Sequence, residues 1–515
     1  MRTHENDSRA NTAELARTGG DTKTVQVAIA GTGFAGLGMA IRMKQEGFHD
    51  FVVLERASEI GGTWRDNTYP GAACDVPSHL YSFSFALNPE WSHSFSPQEE
   101  IQDYLERCAE DYGVGPHVRF DSEVLSAEWD EERNLWEIET TGGNFTARMF
   151  VSAMGALSDP SYPDIPGLEE FEGRYFHSAE WDHDYDLSGK RVAVVGTGAS
   201  AIQFLPQIQP EVSELHLFQR TPPWVTPRRD REFTAAERWA LKKVPGMQQL
   251  LRSAIYWGRE AYVLGFSVDT RIMKAFELLA KRHLRRQVPD PALREKLTPD
   301  YTIGCKRILL ADDYYPALMQ PNVEVVTDGV SEVRGSTVIA ANGSEREVDA
   351  IIFGTGFLIN DLPAAYRIRG RGGNLLSDVW NEGMEAYKGT TISGFPNLFL
   401  LLGPNTGLGH TSQVYMIESQ IEYAISCLKF LDSNGVEALE VHPEVQKRYN
   451  DRLQENMQGT VWTNGGCASW YQDSRGRVTT LWPNFTYQFW RSAKEMDPTD
   501  YIVRGRLPSR RPVSV

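Results

Sequence analysis

Two glycine-rich turns of one design stand in this chain: Gly31-Thr32-Gly33-Phe34-Ala35-Gly36 and Gly196-Thr197-Gly198-Ala199-Ser200-Ala201. Each follows an apolar run, Val25–Ala30 and Val192–Val195, and each opens a helix-like stretch. Glycine lets the backbone come close to a pyrophosphate, and the unpaired N–H groups at a helix start attract it. Ala201 takes the third glycine position of the second turn, a permitted variant. Glu55 and Arg220 each lie 24 positions after the first glycine of their turn. There the second strand of such a unit ends beside the adenosine ribose. A carboxylate at that point accepts hydrogen bonds from ribose hydroxyls, whereas an arginine pairs with a 2′-phosphate. The residues therefore read as two dinucleotide sites, one for FAD and one for NADPH, the second including Gly196, Gly198 and Ser200.

Elements must hold these groups. Val25–Ile29 and Phe51–Leu54 read as buried strands around a helix over Leu37–Gln45, stopped at Gly47. Ser96-Pro97-Gln98-Glu99 has the form of a capping box before a helix with Ile101, Tyr104, Leu105 and Cys108 on one face. Trp136, Ile138 and Thr140 alternate as a half-buried strand, and Met149–Ala153 is apolar. Arg191–Val195 and Leu215–Gln219 are strands of the second unit, followed by a mostly helical insertion over about 231–297. Val323–Val326, Val348–Phe353 and Leu398–Leu402 read as strands, and Met416–Leu431 and Pro443–Asn456 as helices. The predicted fold is α/β, with two Rossmann-like, doubly wound dinucleotide-binding domains. A disordered lead spans 1–23 and the first part of the FAD domain 24–160. A linker covers 161–188 and the NADP domain 189–349. The FAD domain is discontinuous and resumes at 350–515, because Val348–Phe357 ends in glycines much as Val151–Gly155 does.

Bulk properties narrow the function. The net charge of −17 over 515 residues argues against nucleic acid or an anionic membrane as a general partner. No apolar run is long enough to span a bilayer, and the polar N-terminus lacks a signal-peptide core. Cys74, Cys108, Cys305, Cys427 and Cys467 are scattered without a CxxC pair. That pattern predicts a reduced cytoplasmic protein with neither a disulfide framework nor a metal site. Oligomeric state is not readable from the chain.

The segment Phe171 to Asp182 carries Phe171, Gly173, His177 and Trp181 in the order FxGxxxHxxxW. It resembles the fingerprint of type I Baeyer–Villiger monooxygenases. A second pattern of that family also fits, from Gly61-Gly62-Thr63-Trp64 through Tyr69-Pro70-Gly71 to Asp75. The resemblance runs from about Val25 to Trp490. It implies an enzyme that uses NADPH and O₂ to turn a ketone into an ester or lactone through a peroxyflavin. It implies that Arg307, in Gly304-Cys305-Lys306-Arg307, stabilises the anionic flavin, and that Asp75 orients this arginine. Arginine suits the task because it stays charged when buried. By the same resemblance Lys306, Arg220 and Thr221 hold the 2′-phosphate, and Gly62, Thr63 and Trp64, with Tyr69, lie on the flavin side. His177 ties the linker to domain rotation, Trp181 is a packing anchor, and Trp470 sits on a loop near the nicotinamide. The stretch after Trp470, Gln472 to Arg477, departs from the family pattern. Gly403-Pro404-Asn405-Thr406-Gly407 resembles a flavin-side loop. Related flavin N- and S-oxygenases share the double plan but usually lack the Trp181 and Asp75 elements; a peroxide-releasing NADPH oxidase is a further alternative. Tyr256, Trp257, Tyr262 and Phe266 fit either a bulky apolar substrate or a packed helix pair.

Overall fold

The computed structural model describes residues 22–505. The expected disordered lead falls almost wholly outside them; Lys23 already begins a strand.

The first unit starts with β1 (Lys23–Ala30), α1 (Phe34–Gln45) and β2 (Phe51–Leu54). β2 is buried throughout, as a central parallel strand must be when both faces are covered. α1 is small and apolar on nearly all sides, and nine of its residues are buried. A long loop leads to α2 (Gln98–Asp111), then β3 (Val118–Arg119) and the meander β4 (Val124–Asp130), β5 (Leu135–Thr140) and β6 (Gly143–Ser152). The capping box expected before α2 does not form. Pro97 occupies the cap position, the Ser96 hydroxyl donates to Ser78, and the Gln98 amide reaches the Trp64 carbonyl.

The second unit contains β7 (Arg174–His177), β8 (Arg191–Val195), α3 (Ala201–Ile208) and β9 (Glu214–Phe218). The helical insertion is α4 (Ala235–Lys243), α5 (Met247–Glu260), α6 (Met273–Gln287) and α7 (Pro291–Lys296). β10 (Val323–Val326) and β11 (Ala350–Phe353) complete the sheet, in the parallel order β10-β9-β8-β11-β7. Two sequence assignments change here. β11 was placed in the returning FAD domain, but it pairs with β8 and β7 in the second sheet. The fingerprint segment was placed in a linker, but its residues 174–177 form an edge strand of that sheet. The likeness between Val151–Gly155 and Val348–Gly356 is a likeness of equivalent positions. The Ala153 carbonyl crowds Gly31 as the Gly354 carbonyl crowds Gly196.

The chain rejoins the first sheet at β12 (Ile368–Arg369) and β13 (Leu398–Leu400). That sheet has eight strands among the described residues, in the order β12-β4-β5-β6-β1-β2-β3, with β13 also on β6. The first unit is thus built from discontinuous segments. α8 (Gln413–Asn434) packs on α1, where a side chain at Gly38 would strike Phe83 and Ile421. Gly435 ends α8 with φ 59°, and the hairpin of β14 (Val436–Val441) and β15 (Tyr501–Gly505) encloses α9 (Pro443–Met457). No helix among the described residues is long and apolar enough to cross a membrane.

Candidate active site

Both glycine turns are formed where strand gives way to helix. Gly31 has φ +104° and Gly196 φ +108°, a region that residues with a side chain rarely adopt. Gly36 is required for a different reason: a Cβ there would overlap the Gly31 carbonyl oxygen. Gly33 and Gly198 are not required by the protein's own packing. The nearest atoms to an added Cβ are 3.8 Å away at Gly33 and 3.6 Å at Gly198. An added Cβ at either would make only ordinary van der Waals contact, so a reason for glycine lies outside the protein's own packing, as an approaching pyrophosphate would supply. No side chain caps α1 or α3, and neither has an acidic residue in its first turn. Their leading N–H groups are thus not met by a side-chain cap, which fits an anion held there.

Glu55 follows directly on β2 and is buried (3% exposed). One oxygen accepts from the Thr32 amide at 3.0 Å and the Thr32 hydroxyl at 2.5 Å. The other accepts from the Ala57 amide and pairs with Arg65 at 3.0 Å. The carboxylate is thereby fixed at the rim of the first turn. Gly62 comes against Gly33, so the segment holding Thr63 and Trp64 closes one side of the cradle. The Trp64 indole donates to the Tyr81 hydroxyl at 3.0 Å. Tyr69 lies elsewhere. It is buried against the second unit, packing on Phe204 and donating to Gln203 Oε1 at 2.9 Å. The expected flavin-side position for Tyr69 is replaced by a role in joining the two units.

At the second turn Arg220 is exposed and enters no ion pair among the described residues. Its neighbour Thr221 gives its carbonyl to the Thr197 hydroxyl at 3.2 Å. The Lys306 ammonium lies over the Tyr301 ring at 5.2 Å. Burial, then the charge of Arg220, hold its pKa below the ordinary 10.5. Two cations brought together at the surface end of β9 form a site for a multivalent anion, as a 2′-phosphate requires.

An ion pair joins two segments distant in sequence. Arg307 donates from Nε to Asp75 Oδ2 at 2.8 Å and from Nη2 to Oδ1 at 2.7 Å, a two-point contact. Asp75 comes from the first unit and Arg307 from the segment after the helical insertion, 232 residues later. Solvent still reaches 33% of the arginine side chain and 24% of the aspartate, so the pair is accessible from outside. Asp75 raises the guanidinium pKa above its ordinary value, against burial. Burial pushes the Asp75 carboxyl up, but Arg307 outweighs it and the carboxyl stays below its ordinary 3.8. Both groups are therefore charged at neutral pH.

The remaining predicted residues surround this core. Phe171 is buried, and Gly173 leaves room for the Asp349 carbonyl. His177 is fully buried; its Nδ1 accepts from the Ala179 amide at 3.1 Å, and its own amide donates to the Tyr162 hydroxyl. That is a structural setting, with no approach through solvent. Trp181 packs between Phe176 and Phe204 at 5.2 and 5.3 Å. Trp470 is 43% exposed, and the Asn360 amide donates to its carbonyl at 3.2 Å. Asn405, in the glycine loop before α8, donates to the Val478 and Leu481 carbonyls. In the insertion, Tyr256 stacks on Tyr415, Tyr262 meets Phe276 and Phe266 is buried, whereas Trp257 is 58% exposed. Helix packing accounts for most of these aromatics.

Two features went unread in the sequence. Tyr471, next to Trp470, is buried within reach of the Arg307 charge; burial lifts its pKa to about 12 and Arg307 opposes the rise. The expectation of no disulfide is also corrected: Cys305 and Cys467 are bonded across 162 positions. Sequence spacing could not reveal the pairing, because loop packing alone brings the two together. A signal did exist, since each cysteine lies within three residues of a predicted site residue, Arg307 or Trp470.

A family profile described as pyridine nucleotide-disulphide oxidoreductase matches residues 28–240. A Baeyer-Villiger monooxygenase of Streptomyces coelicolor is 54% identical over 487 residues, 94% of each chain. One from Pseudomonas aeruginosa is 53% identical over 478 residues, 92% of this chain and 91% of that one. The solved structure of an oxidized steroid monooxygenase bound to NADP superposes with a TM-score of 0.83 at 29% identity, over 94% of this chain and all of that one. With half its residues identical along nearly the full length of two such enzymes, the chain belongs to the Baeyer–Villiger monooxygenase family.

Proposed function

We propose that this enzyme holds FAD at the Gly31–Gly36 turn and NADPH at the Gly196–Ala201 turn, and inserts an oxygen atom from O₂ beside the carbonyl of a ketone, giving an ester or lactone. The observation that carries this reading is the Asp75–Arg307 pair, a cation fixed by a two-point contact and still reached by solvent.

Bound FAD supplies the redox and oxygen chemistry, and NADPH supplies the hydride. The chain's own residues bind, orient and balance charge. The N-termini of α1 and α3 hold the two pyrophosphates. Glu55, already anchored by Thr32 and Arg65, offers acceptor oxygens to ribose hydroxyls. Gly62, Thr63 and Trp64 wall the flavin side. Arg220, Lys306 and Thr221 receive the 2′-phosphate, with Ser200 at the start of α3 beside the second pyrophosphate. Arg307 places a permanent positive charge where negative charge develops, in a partly dry site where such a charge counts for more than in water. Asp75 keeps the guanidinium plane fixed, so no reorganisation is needed when that charge develops. Trp470 is placed to contact the nicotinamide dinucleotide. Phe171, Gly173, His177 and Trp181 hold the edge of the second sheet and with it the position of one unit against the other.

The test is Arg307→Ala. The variant should keep its yellow cofactor and still be reduced by NADPH, yet form no ester from a ketone panel that the unaltered enzyme converts. Near-normal ester formation would remove Arg307 from its role.

A further inference from the structure

We propose that Cys305 and Cys467 form a redox-modifiable clamp that fastens the Trp470 segment to the Arg307 loop and so sets how tightly NADP(H) is held. The inference rests on the reading above that Lys306 and Trp470 contact the nicotinamide dinucleotide. The geometry carries it. Cys305 directly precedes Lys306 and Arg307, and Cys467 lies three residues before Trp470. The Cα atoms stand 6.2 Å apart. The neighbouring backbone is shaped to this contact: the Thr302 amide donates to the Gly465 carbonyl at 3.0 Å. A Cβ at Gly465 would overlap the Val461 carbonyl oxygen and fall 2.5 Å from Cys305 Cβ and 2.7 Å from its sulfur, so glycine lets this turn and Cys305 pack closely.

The pair is also set apart from the other thiols. Cys74, Cys108 and Cys427 are buried and free. Burial pushes the Cys108 thiol up to about 11 and that of Cys427 up to about 12, so neither is a ready nucleophile. Cys467 is half-buried, and small oxidants and reductants can reach it. Trp470 itself is 43% exposed; outside the crosslink, the Asn360 amide holds the carbonyls of residues 470 and 472, the Thr480 hydroxyl donates to the Tyr471 carbonyl at 3.2 Å, the Gln472 side chain donates to the Trp462 carbonyl at 2.9 Å, and Tyr471 is buried. Cutting the sulfur bridge therefore removes the covalent tie at the Cys467 end and leaves that end held by hydrogen bonds and packing.

The chemistry is a two-electron exchange. One thiolate attacks the O–O bond of hydrogen peroxide, giving a sulfenic acid and water. The second thiol displaces hydroxide from that sulfur, the S–S bond forms and a second water leaves. Two electrons and two protons pass from the pair to the peroxide. A dithiol reverses the step by thiol–disulfide exchange through a mixed disulfide. Hydrogen peroxide is what this enzyme class releases when oxygen transfer fails, so leakage would tighten the clamp and limit itself.

The experiment uses the FAD-loaded enzyme in three forms: treated with hydrogen peroxide and desalted, reduced with a phosphine, and carrying Cys467→Ser. Thiols are counted in denaturant, NADP⁺ affinity is measured by equilibrium dialysis, and KM for NADPH, kcat and peroxide released per NADPH are compared. The oxidised form should show three free thiols and the reduced form all five. Reduction and Cys467→Ser should each weaken NADP⁺ binding by about threefold to tenfold, the cost of re-ordering one or two side chains. KM and peroxide release should rise with little change in kcat, and the reductant should add nothing to the variant. Five free thiols after peroxide, or a disulfide that leaves NADP⁺ affinity unchanged, overturns the clamp. Should Cys467→Ser fail to fold, the reduced form decides alone. Arg220→Ala run alongside separates the two levels: if it weakens NADP⁺ binding while the disulfide has no effect, only the clamp fails. If neither alters NADP⁺ binding, the assignment of this site to NADPH fails with it.

Discussion

At the scale of single residues, the proposed assignment of each dinucleotide to its cradle rests on charge. Glu55 would repel a 2′-phosphate, and Arg220 attracts one. Each charge-assisted hydrogen bond is worth roughly 1.5–3 kcal/mol, so Arg220→Ala should cut the preference for NADPH over NADH by about tenfold to a hundredfold. Ratios of kcat/KM for the two cofactors measure this directly, and an unaltered ratio would reassign Arg220. Lys306 gives the same site a pH dependence with a defined sign. Its pKa in the free protein lies below the ordinary 10.5, by burial and then by Arg220. The cation is needed for binding, so affinity is full at neutral pH and falls as pH rises through that lowered value. The 2′-phosphate, whose second pKa is near 6, stays doubly charged throughout. We expect NADP⁺ titrations from pH 7 to 10 to weaken toward the alkaline end. Lys306→Arg should flatten that limb. The Asp75–Arg307 pair contributes no such slope, because the aspartate titrates below 3.8 and the arginine above its already high ordinary value.

At the scale of elements, the two strand–turn–helix units separate glycines that serve folding from glycines that serve ligands. Gly36 packs against the Gly31 carbonyl with no room for a methyl group. Gly36→Ala should therefore destabilise the protein by about 1–3 kcal/mol, the usual range for overpacking. Gly33 has extended backbone, φ −69° and ψ −171°, and an added Cβ would meet nothing closer than 3.8 Å. Gly33→Ala should leave the apoprotein's stability within about 0.5 kcal/mol of the parent while FAD uptake is sharply reduced. Thermal melts of apoprotein beside FAD reconstitution distinguish the two. Equal loss of stability in both variants would show that Gly33 serves folding and not a ligand.

At the scale of the whole molecule, chemistry depends on contacts between the units. Gln203, on α3 of the second unit, accepts from Tyr69 Oη at 2.9 Å and donates to the Ala73 carbonyl at 3.0 Å. Both partners lie in the segment that ends at Asp75. The ion pair is thus positioned by a glutamine of the other unit. Gln203→Ala should lower stability by roughly 1–3 kcal/mol, the cost of two lost hydrogen bonds. It should also raise peroxide released per NADPH as Asp75 and Arg307 lose their fixed geometry. Unchanged melting and unchanged coupling would show that Gln203 does not hold this interface.

What the sequence determined by itself were the local devices: strand–turn–helix units, their glycines, and the Glu55 and Arg220 positions at fixed spacing from them. Such features are legible because backbone conformation and strand length act over about 25 residues and leave a periodic trace. The long patterns around Trp64, Asp75 and His177 added the family. Only the tertiary structure decided the rest. It placed β11 beside β8, although its residues read equally well as a strand of the first sheet, because strand partners are chosen by packing across more than a hundred residues. It turned Tyr69 away from the first cradle toward Phe204, and turned the expected Ser96 cap toward Ser78. It brought Asp75 to Arg307 and Cys305 to Cys467, pairs whose separations of 232 and 162 residues carry no local signature. Spacing encodes a turn, but a contact between distant segments is set by how whole layers settle against each other.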